Sequence, residues 1–136
     1  DDSGELQAIF DAVKSGTPHV QELRHGIRYV ADPRFADAFM APSRMLKECR
    51  NGACAGDCDD HTAMVVALGA AVGFRMGLRA WGPFGSHGEF VHVYPVALLP
   101  KRMDGPLTVV GLDTTVPESY AGWEPEAGEV LTAWLE

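Results

Sequence analysis

Residues 57–82, DCDDHTAMVVALGAAVGFRMGLRAWG, pass from a helical pattern to a strand pattern without interruption. Residues 62–72 are rich in Ala, Val, Leu and Met, and Gly73 follows, a residue type common just beyond helix ends. This run predicts a buried helix that begins near Cys58. Over residues 74–82 bulky apolar side chains alternate with others, which predicts a strand with one buried face.

The segments before this stretch are helical in pattern. Residues 3–14 predict a short amphipathic helix that stops before Gly16, because four apolar side chains recur at helical spacing: Leu6, Ile9, Phe10 and Val13. Helices are also predicted over residues 19–30 and over residues 41–50, the latter with Ser43 as N-cap. The first 50 residues therefore indicate a helical layer.

Strand patterns follow. FVHVYPV (90–96) and LTVVGLDTT (107–115) predict two further strands. Pro95 suggests an edge strand or a bulge, because proline has no N–H for a sheet ladder. Residues 116–136 are turn-rich, and we expect them to wrap the sheet. Consecutive strands with short connections normally pair antiparallel, so the chain predicts one α+β domain over residues 1–136.

Composition limits the class of partner. The 136 residues carry a formal net charge of −8, and no apolar run is long enough to span a membrane. Nucleic acids and anionic membranes are therefore not expected partners, because both are bound through clustered Lys and Arg. Three cysteines cannot all pair within one chain, so reduced thiols are expected. No targeting segment is visible.

Three residues could perform nucleophilic chemistry together. A thiol at a helix N-terminus is activated as thiolate, and Cys58 lies where the predicted helix begins. His92 and Asp113, on neighbouring predicted strands, could supply a base and a group that orients the base. The backbone N–H of Cys58 is the expected donor to a developing oxyanion.

Three separated motifs resemble the transglutaminase-like superfamily. They are GDCDDHTAMVVALGAAVGFRMGLR (56–79), HVYPV (92–96) and GLDTT (111–115), in the family's order. The stretch IRYVADPRFADAFMAPSRMLKE (27–48) and GWEP (122–125) are similar to a bacterial and prophage branch of that superfamily, the transglutaminase-like cysteine proteinases.

The resemblance implies a papain-like fold in which a cysteine-bearing helix packs on an antiparallel sheet. It implies a hydrolase of the thiol protease or amidase type with Cys58 as nucleophile, His92 as base and acid, and Asp113 orienting His92. A peptide or protein substrate, no required cofactor and a cytoplasmic or phage-associated location are expected. Thr114 stands where the family commonly has proline. The alternative is a non-catalytic phage or prophage structural or binding protein that retains the fold.

The acids around Cys58 have two interpretations. Asp57, Asp59 and Asp60 fit a helix N-cap and first turn, which favour negative charge. Neighbouring carboxylates should, however, raise the pKa of a thiol. A calcium ion held by the three aspartates would relieve this, and the resemblance includes enzymes that bind calcium near the catalytic cysteine. Calcium is therefore a second hypothesis for these side chains.

The other histidines and cysteines offer alternatives to this trio. A zinc site of Cys49, Cys54, Cys58 and His61 has irregular spacing compared with paired CxxC motifs. His87 competes with His92 as base, but it falls in a glycine-rich loop, whereas a strand position is rigid. His61 is expected on the exposed first turn of the Cys58 helix.

Three aromatic residues beside the glycine-rich loop also have two interpretations. Trp81, Phe84 and Trp123 could line a substrate groove, although such aromatics more often pack at the rim of a core.

Overall fold

A computed structural model describes residues 1–17, 26, 28–29, 55–56, 58–88 and 90–135, with the backbone alone at residues 28, 29, 55, 56, 58 and 59. This part of the chain is a small α+β structure of two helices, a four-stranded antiparallel sheet and a two-stranded ribbon. The elements follow in the order α1 (Asp2–Lys14), β1 (Arg28–Tyr29), β2 (Ala55–Gly56), α2 (Cys58–Ala71), β3 (Met76–Gly82), β4 (His92–Leu99), β5 (Thr108–Gly111) and β6 (Glu129–Trp134).

Helix α1 forms as its sequence predicts. Asp1 is the N-cap, and its side chain accepts a hydrogen bond of 2.7 Å from the N–H of Gly4. Leu6, Phe10 and Val13 are buried on one face of the helix. Burying each of these side chains contributes roughly 1.5–3 kcal/mol, so α1 is held mainly by its apolar face.

Helix α2 ends in a Schellman motif. The N–H of Phe74 donates to the carbonyl of Gly69, and the N–H of Gly73 donates to the carbonyl of Ala70, both at 3.0 Å. Gly73 has φ of 100°, a left-handed conformation that glycine adopts without steric cost. The predicted helix and its end at Gly73 are therefore confirmed.

The main sheet has the strand order β5-β4-β3-β6, with every neighbouring pair antiparallel. The expectation that Pro95 marks an edge or a bulge is wrong, because β4 is an inner strand. The N–H of Leu112 donates to the carbonyl of Pro95 at 2.9 Å, so Pro95 faces the side of β5. Pairing with β5 starts only at Val96, opposite Gly111. The missing N–H of proline therefore falls where this ladder ends.

Strand β6 lies in residues 116–136, which were expected to wrap the sheet and for which no strand was predicted. Residues 129–134 pair with residues 77–82 of β3 and form an edge strand. The ring of Trp134 lies directly over Gly77, where a Cβ atom would be 2.7 Å from the ring. The absence of a side chain at Gly77 therefore lets the indole cover this part of β3.

The short ribbon corrects a second expectation. Arg28 and Tyr29 pair in parallel with Ala55 and Gly56, so the end of the predicted helix over residues 19–30 is a strand instead. The rest of that segment, apart from Gly26, and the predicted helix over residues 41–50 lie outside the described residues.

The two helices cover one face of the sheet. Helix α2 packs on β4 and β3, and α1 packs on α2. The core between these layers is apolar and contains Leu6, Phe10, Ala12, Val13, Met64, Val65, Phe74, Met76, Ala97 and Leu112. Among the described residues, no helix is long and apolar enough to cross a membrane.

Candidate active site

His92 and Asp113 meet at one end of the sheet. His92 is the first residue of β4, and Asp113 follows the last residue of β5 by two positions. Because β4 and β5 are antiparallel, the start of one and the end of the other lie together. Nε2 of His92 is 2.6 Å from Oδ2 of Asp113. The structure thus brings together two residues of the predicted trio.

The carboxylate of Asp113 is buried, and both of its oxygens accept hydrogen bonds. Its Oδ1 accepts hydrogen bonds from the N–H of Thr115 at 3.0 Å and from the hydroxyl of Thr115 at 2.7 Å. Burial raises the pKa of Asp113, but the hydrogen bonds from His92 and Thr115 outweigh this, so the pKa lies below its ordinary value. Asp113 is therefore ionised at neutral pH.

This ionised acceptor fixes the tautomer of His92. A carboxylate can only accept, so Nε2 of His92 donates to Asp113, and a neutral imidazole then carries its lone pair on Nδ1. The His92 side chain keeps 21% of its surface exposed, whereas that of Asp113 has none. In this pair Nδ1 of His92 is the proton acceptor, and the buried carboxylate of Asp113 orients the ring through Nε2.

Tyr94 supports His92 from the next position on the same face of β4. The two rings lie 6.0 Å apart between centroids at 23°. The Tyr94 hydroxyl donates to Oε1 of Glu124 at 3.1 Å, and Arg79 donates to the same oxygen at 2.6 Å. Burial and the Glu124 charge raise the pKa of Tyr94 to about 12. Tyr94 is therefore a neutral, fixed support for the histidine.

The first turn of α2 is joined to this end of the sheet. Nδ1 of His61 is 2.8 Å from the hydroxyl of Thr114, and the hydroxyl of Thr62 donates to the carbonyl of Val93 at 3.4 Å. The expectation that His61 is exposed is wrong, because only 1% of its surface is accessible. The partners of His61 and Thr62, which are Thr114 and Val93, are the chain neighbours of Asp113 and His92.

Cys58 is the first residue of α2 and lies one helical turn before His61 and Thr62. Only its backbone is described. The helix N-terminus, the start of β4 and the segment after β5 therefore converge, while the position of the thiol remains a prediction.

The predicted metal ligands are described only in part. Asp60 is buried in the first turn of α2, Asp57 lies outside the described residues, and at Asp59 only the backbone is described. Cys49 and Cys54, from the zinc alternative, also lie outside. Within the described residues, no group of three or more His, Cys, Asp or Glu side chains could hold a metal ion. The calcium hypothesis stays a prediction.

A cleft opens beside His92. It has a volume of about 350 Å³, and its lining includes Trp81 and Trp123, as expected of a groove. Phe84 does not line it and is 73% exposed. The cleft makes the His92 ring accessible from solvent.

His87 lies in the loop between β3 and β4, and its side chain is exposed. The carboxylate of Glu129 accepts hydrogen bonds from the N–H groups of Gly88 at 3.1 Å, Gly85 at 2.8 Å and His87 at 3.4 Å. These hydrogen bonds hold the pKa of Glu129 below its ordinary value, and the bond from Gly88 has the largest effect. The glycine-rich loop is thus anchored to β6 by one carboxylate.

Several supporting residues were missed by reasoning from the sequence. They are Thr115, which binds Asp113, the Tyr94–Glu124–Arg79 network, and the His61–Thr114 contact. The Asp-x-Thr spacing at residues 113–115 is a turn signal that could have revealed Thr115. The other contacts join residues at least 30 positions apart, and no local pattern marks them.

In comparisons with known proteins, no family model, curated protein or solved structure matches this chain.

Proposed function

We propose that the protein is a cysteine peptidase or amidase with a papain-like fold, related to the transglutaminase-like cysteine proteinases. Cys58 would be the nucleophile, His92 the proton carrier and Asp113 the residue that orients His92. One observation carries the proposal: the hydrogen bond of 2.6 Å between His92 and the buried Asp113, at the sheet end joined to the first turn of α2.

The reaction follows from the direction of that hydrogen bond. Nδ1 of His92 takes the proton of the Cys58 thiol, and the thiolate attacks the carbonyl carbon of an amide. The carbonyl oxygen becomes an oxyanion, which the N–H groups at the start of α2 would stabilise. The imidazolium returns its proton to the leaving nitrogen, the C–N bond breaks, and a thioester remains on Cys58.

Hydrolysis of the thioester completes the cycle. A water molecule gives a proton to Nδ1 of His92 and attacks the thioester carbonyl, and the departing sulfur takes the proton back. Transfer to an amine instead requires a site that excludes water. The cleft beside His92 is open, which favours hydrolysis.

Asp113 would stabilise the protonated form of His92 in these steps. Its negative charge is buried and directly bonded to the imidazole that becomes cationic, so it stabilises the imidazolium more strongly than an exposed carboxylate would. The additional hydrogen bonds from Thr115 prevent the carboxylate from rotating away.

Alkylation tests the nucleophile. The native protein is treated with iodoacetamide from about pH 5 to about pH 9, and labelling of Cys49, Cys54 and Cys58 is scored separately by mass spectrometry. Fast labelling of Cys58 alone, with an apparent pKa below about 7.5, is expected of an activated thiol. A change on adding a calcium chelator would extend the proposal to the aspartates.

A matched pair of variants gives the control. Asp113→Asn should weaken the activation of Cys58, and Asp104→Asn, at an exposed turn, should not. Slow and equal labelling of all three cysteines would reject the proposal in favour of a binding protein that retains the fold.

A further inference from the structure

We infer that the cleft beside His92 is a substrate subsite that binds one large, uncharged apolar side chain, aromatic or aliphatic, of a peptide or amide substrate. This inference rests on the proposed function, because it places the scissile bond at His92. It adds the class of side chain that the site selects.

The indole of Trp81 and the backbone turn that carries Trp123 are held in place. Trp81 lies opposite His92 in the β3–β4 ladder, and its Nε1–H donates to the carbonyl of Glu126 at 2.8 Å. Trp123 closes a turn in which its N–H donates to the carbonyl of Tyr120 at 2.8 Å. The backbone of Gly122 in this turn is bonded to Gly111 at the end of β5. Fixed aromatic rings bind a ligand with little loss of conformational entropy.

The rest of the lining is also apolar and anchored. Val116, Pro117 and Pro125 contribute to it. The ammonium group of Lys14 donates to the carbonyls of Val116 and Pro117, both at 3.0 Å. Prolines and a backbone tied to α1 leave this wall few conformations, so the cleft is largely formed before a ligand enters.

The described lining of the cleft carries few polar side chains. Thr115 donates its hydroxyl to Asp113, and among the described residues of the lining only His92 has an ionisable side chain. Inside the cleft, below its rim, an ionised substrate side chain would lose water without gaining a countercharge from the described lining residues, which is unfavourable. The exposed Glu118 and Glu126 follow Pro117 and Pro125 directly, so an acidic side chain would also meet like charge at the rim.

The size of the cleft sets an upper limit on its ligand. A volume of about 350 Å³ is near the lower end of small-molecule sites, which span roughly 300–1,000 Å³. One aromatic or large aliphatic side chain fits such a space, with part of the substrate backbone at its mouth. Contact with two indole rings favours flat or bulky apolar groups over small ones.

The three tryptophans of the chain provide the readout. Trp81 and Trp123 line the cleft, whereas Trp134 covers Gly77 away from it. In nitrogen-15-labelled Cys58→Ala protein, which cannot turn over substrate, each indole N–H gives one resonance, assigned by single Trp→Phe substitutions. The protein is titrated with N-acetylphenylalanine amide, N-acetylleucine amide, N-acetylaspartate amide and N-acetyllysine amide.

We expect the phenylalanine and leucine amides to shift the resonances of Trp81 and Trp123 saturably and to leave that of Trp134 unchanged. The aspartate amide should bind at least about tenfold more weakly. Trp123→Ala should weaken binding of the phenylalanine amide by about tenfold or more. An unchanged Trp134 resonance in the free variant would show that its fold is intact.

Three results would overturn the subsite. These are no saturable shift at Trp81 and Trp123, an equal shift at Trp134, or binding of the aspartate or lysine amide as tight as that of the phenylalanine amide. The subsite and the proposed function fail separately. Saturable binding with an inert Cys58 would reject the enzyme alone, and a reactive Cys58 without saturable binding would reject the subsite alone.

Discussion

The two ends of α2 differ in the chemistry that they bury. Of the described residues, six polar or charged ones are buried, and five of these lie at or beside the start of α2: Asp60, His61, Thr62, Asp113 and Thr114. At the other end of the helix the buried neighbours are Phe74 and Met76, which belong to the apolar core. One helix thus joins a polar cluster to an ordinary hydrophobic interior.

Burying polar groups at one end of α2 costs free energy unless each group is hydrogen-bonded. A buried polar group without a hydrogen-bond partner costs about 1–3 kcal/mol, whereas apolar packing stabilises without such a requirement. Polar residues confined to one end of the helix are expected where chemistry is performed. The polar end should accordingly govern activity, and the apolar end should govern stability.

The largest expected effect is at the polar end. Asp113→Asn keeps the shape of the side chain but removes the charge that fixes the tautomer of His92. For the amide hydrolysis that we propose, we expect kcat to fall by about 10⁴-fold. Asp104→Asn should leave kcat unchanged. An Asp113→Asn protein with native activity would remove the polar end from catalysis.

The next effect is at the apolar end. Met76 is 2% exposed and packs beside Gly69 of α2, so Met76→Ala should leave a cavity. We expect the free energy of unfolding to fall by about 2–5 kcal/mol, measured by chemical denaturation. Met103→Ala, at a residue 45% exposed, should change it by less than about 0.5 kcal/mol. The alkylation rate of Cys58 in the folded Met76→Ala protein should match that of the wild type. A large loss in this rate would show that the two ends of α2 are coupled.

The contact that joins α2 to the Asp113 segment should matter less. Thr114→Val keeps the size of the side chain and removes the hydroxyl that bonds His61. A loss of about 1–3 kcal/mol in the free energy of unfolding is expected. The exposed Thr108→Val is the matched control and should be nearly neutral. Equal stability of both variants would show that this contact does not hold the polar end together.

The smallest effect concerns alkaline pH and the hydroxyl of Tyr94. Burial raises its pKa from 10.0 to about 12, so between these values the folded protein keeps a proton that the unfolded chain loses. Stability from this group is complete below pH 10.0 and is lost as pH rises through about 12. Denaturation across this window should show a steeper loss for wild type than for Tyr94→Phe. Parallel curves would mean that Tyr94 titrates normally.

The apolar end was predictable from the sequence, and the polar end only in part. Periodicity marked α1, α2 and the positions of β3, β4 and β5, because each pattern depends on residues close in the chain. It also placed His92 and Asp113 on neighbouring strands. Strand β6 was missed because residues 129–134 follow a turn-rich stretch and form an edge strand with little buried surface.

His61 shows why local reasoning fails at the polar end. A histidine after three aspartates in a first turn has the composition of an exposed surface. Its burial depends on Thr114, 53 positions away, whose hydroxyl supplies the hydrogen bond. Pro95 was misjudged for a similar reason, since its place in an inner strand depends on where β5 stops pairing.

The ammonium group of Lys14 has a consequence for the loop after Asp113. The carbonyl oxygens of Val116, Pro117 and Ser119 converge on it within 3.0 Å, an arrangement that elsewhere cages a monovalent metal cation. Here the cation is the ammonium group of Lys14, the last residue of α1. The loop therefore carries its own counterpart to a bound monovalent ion.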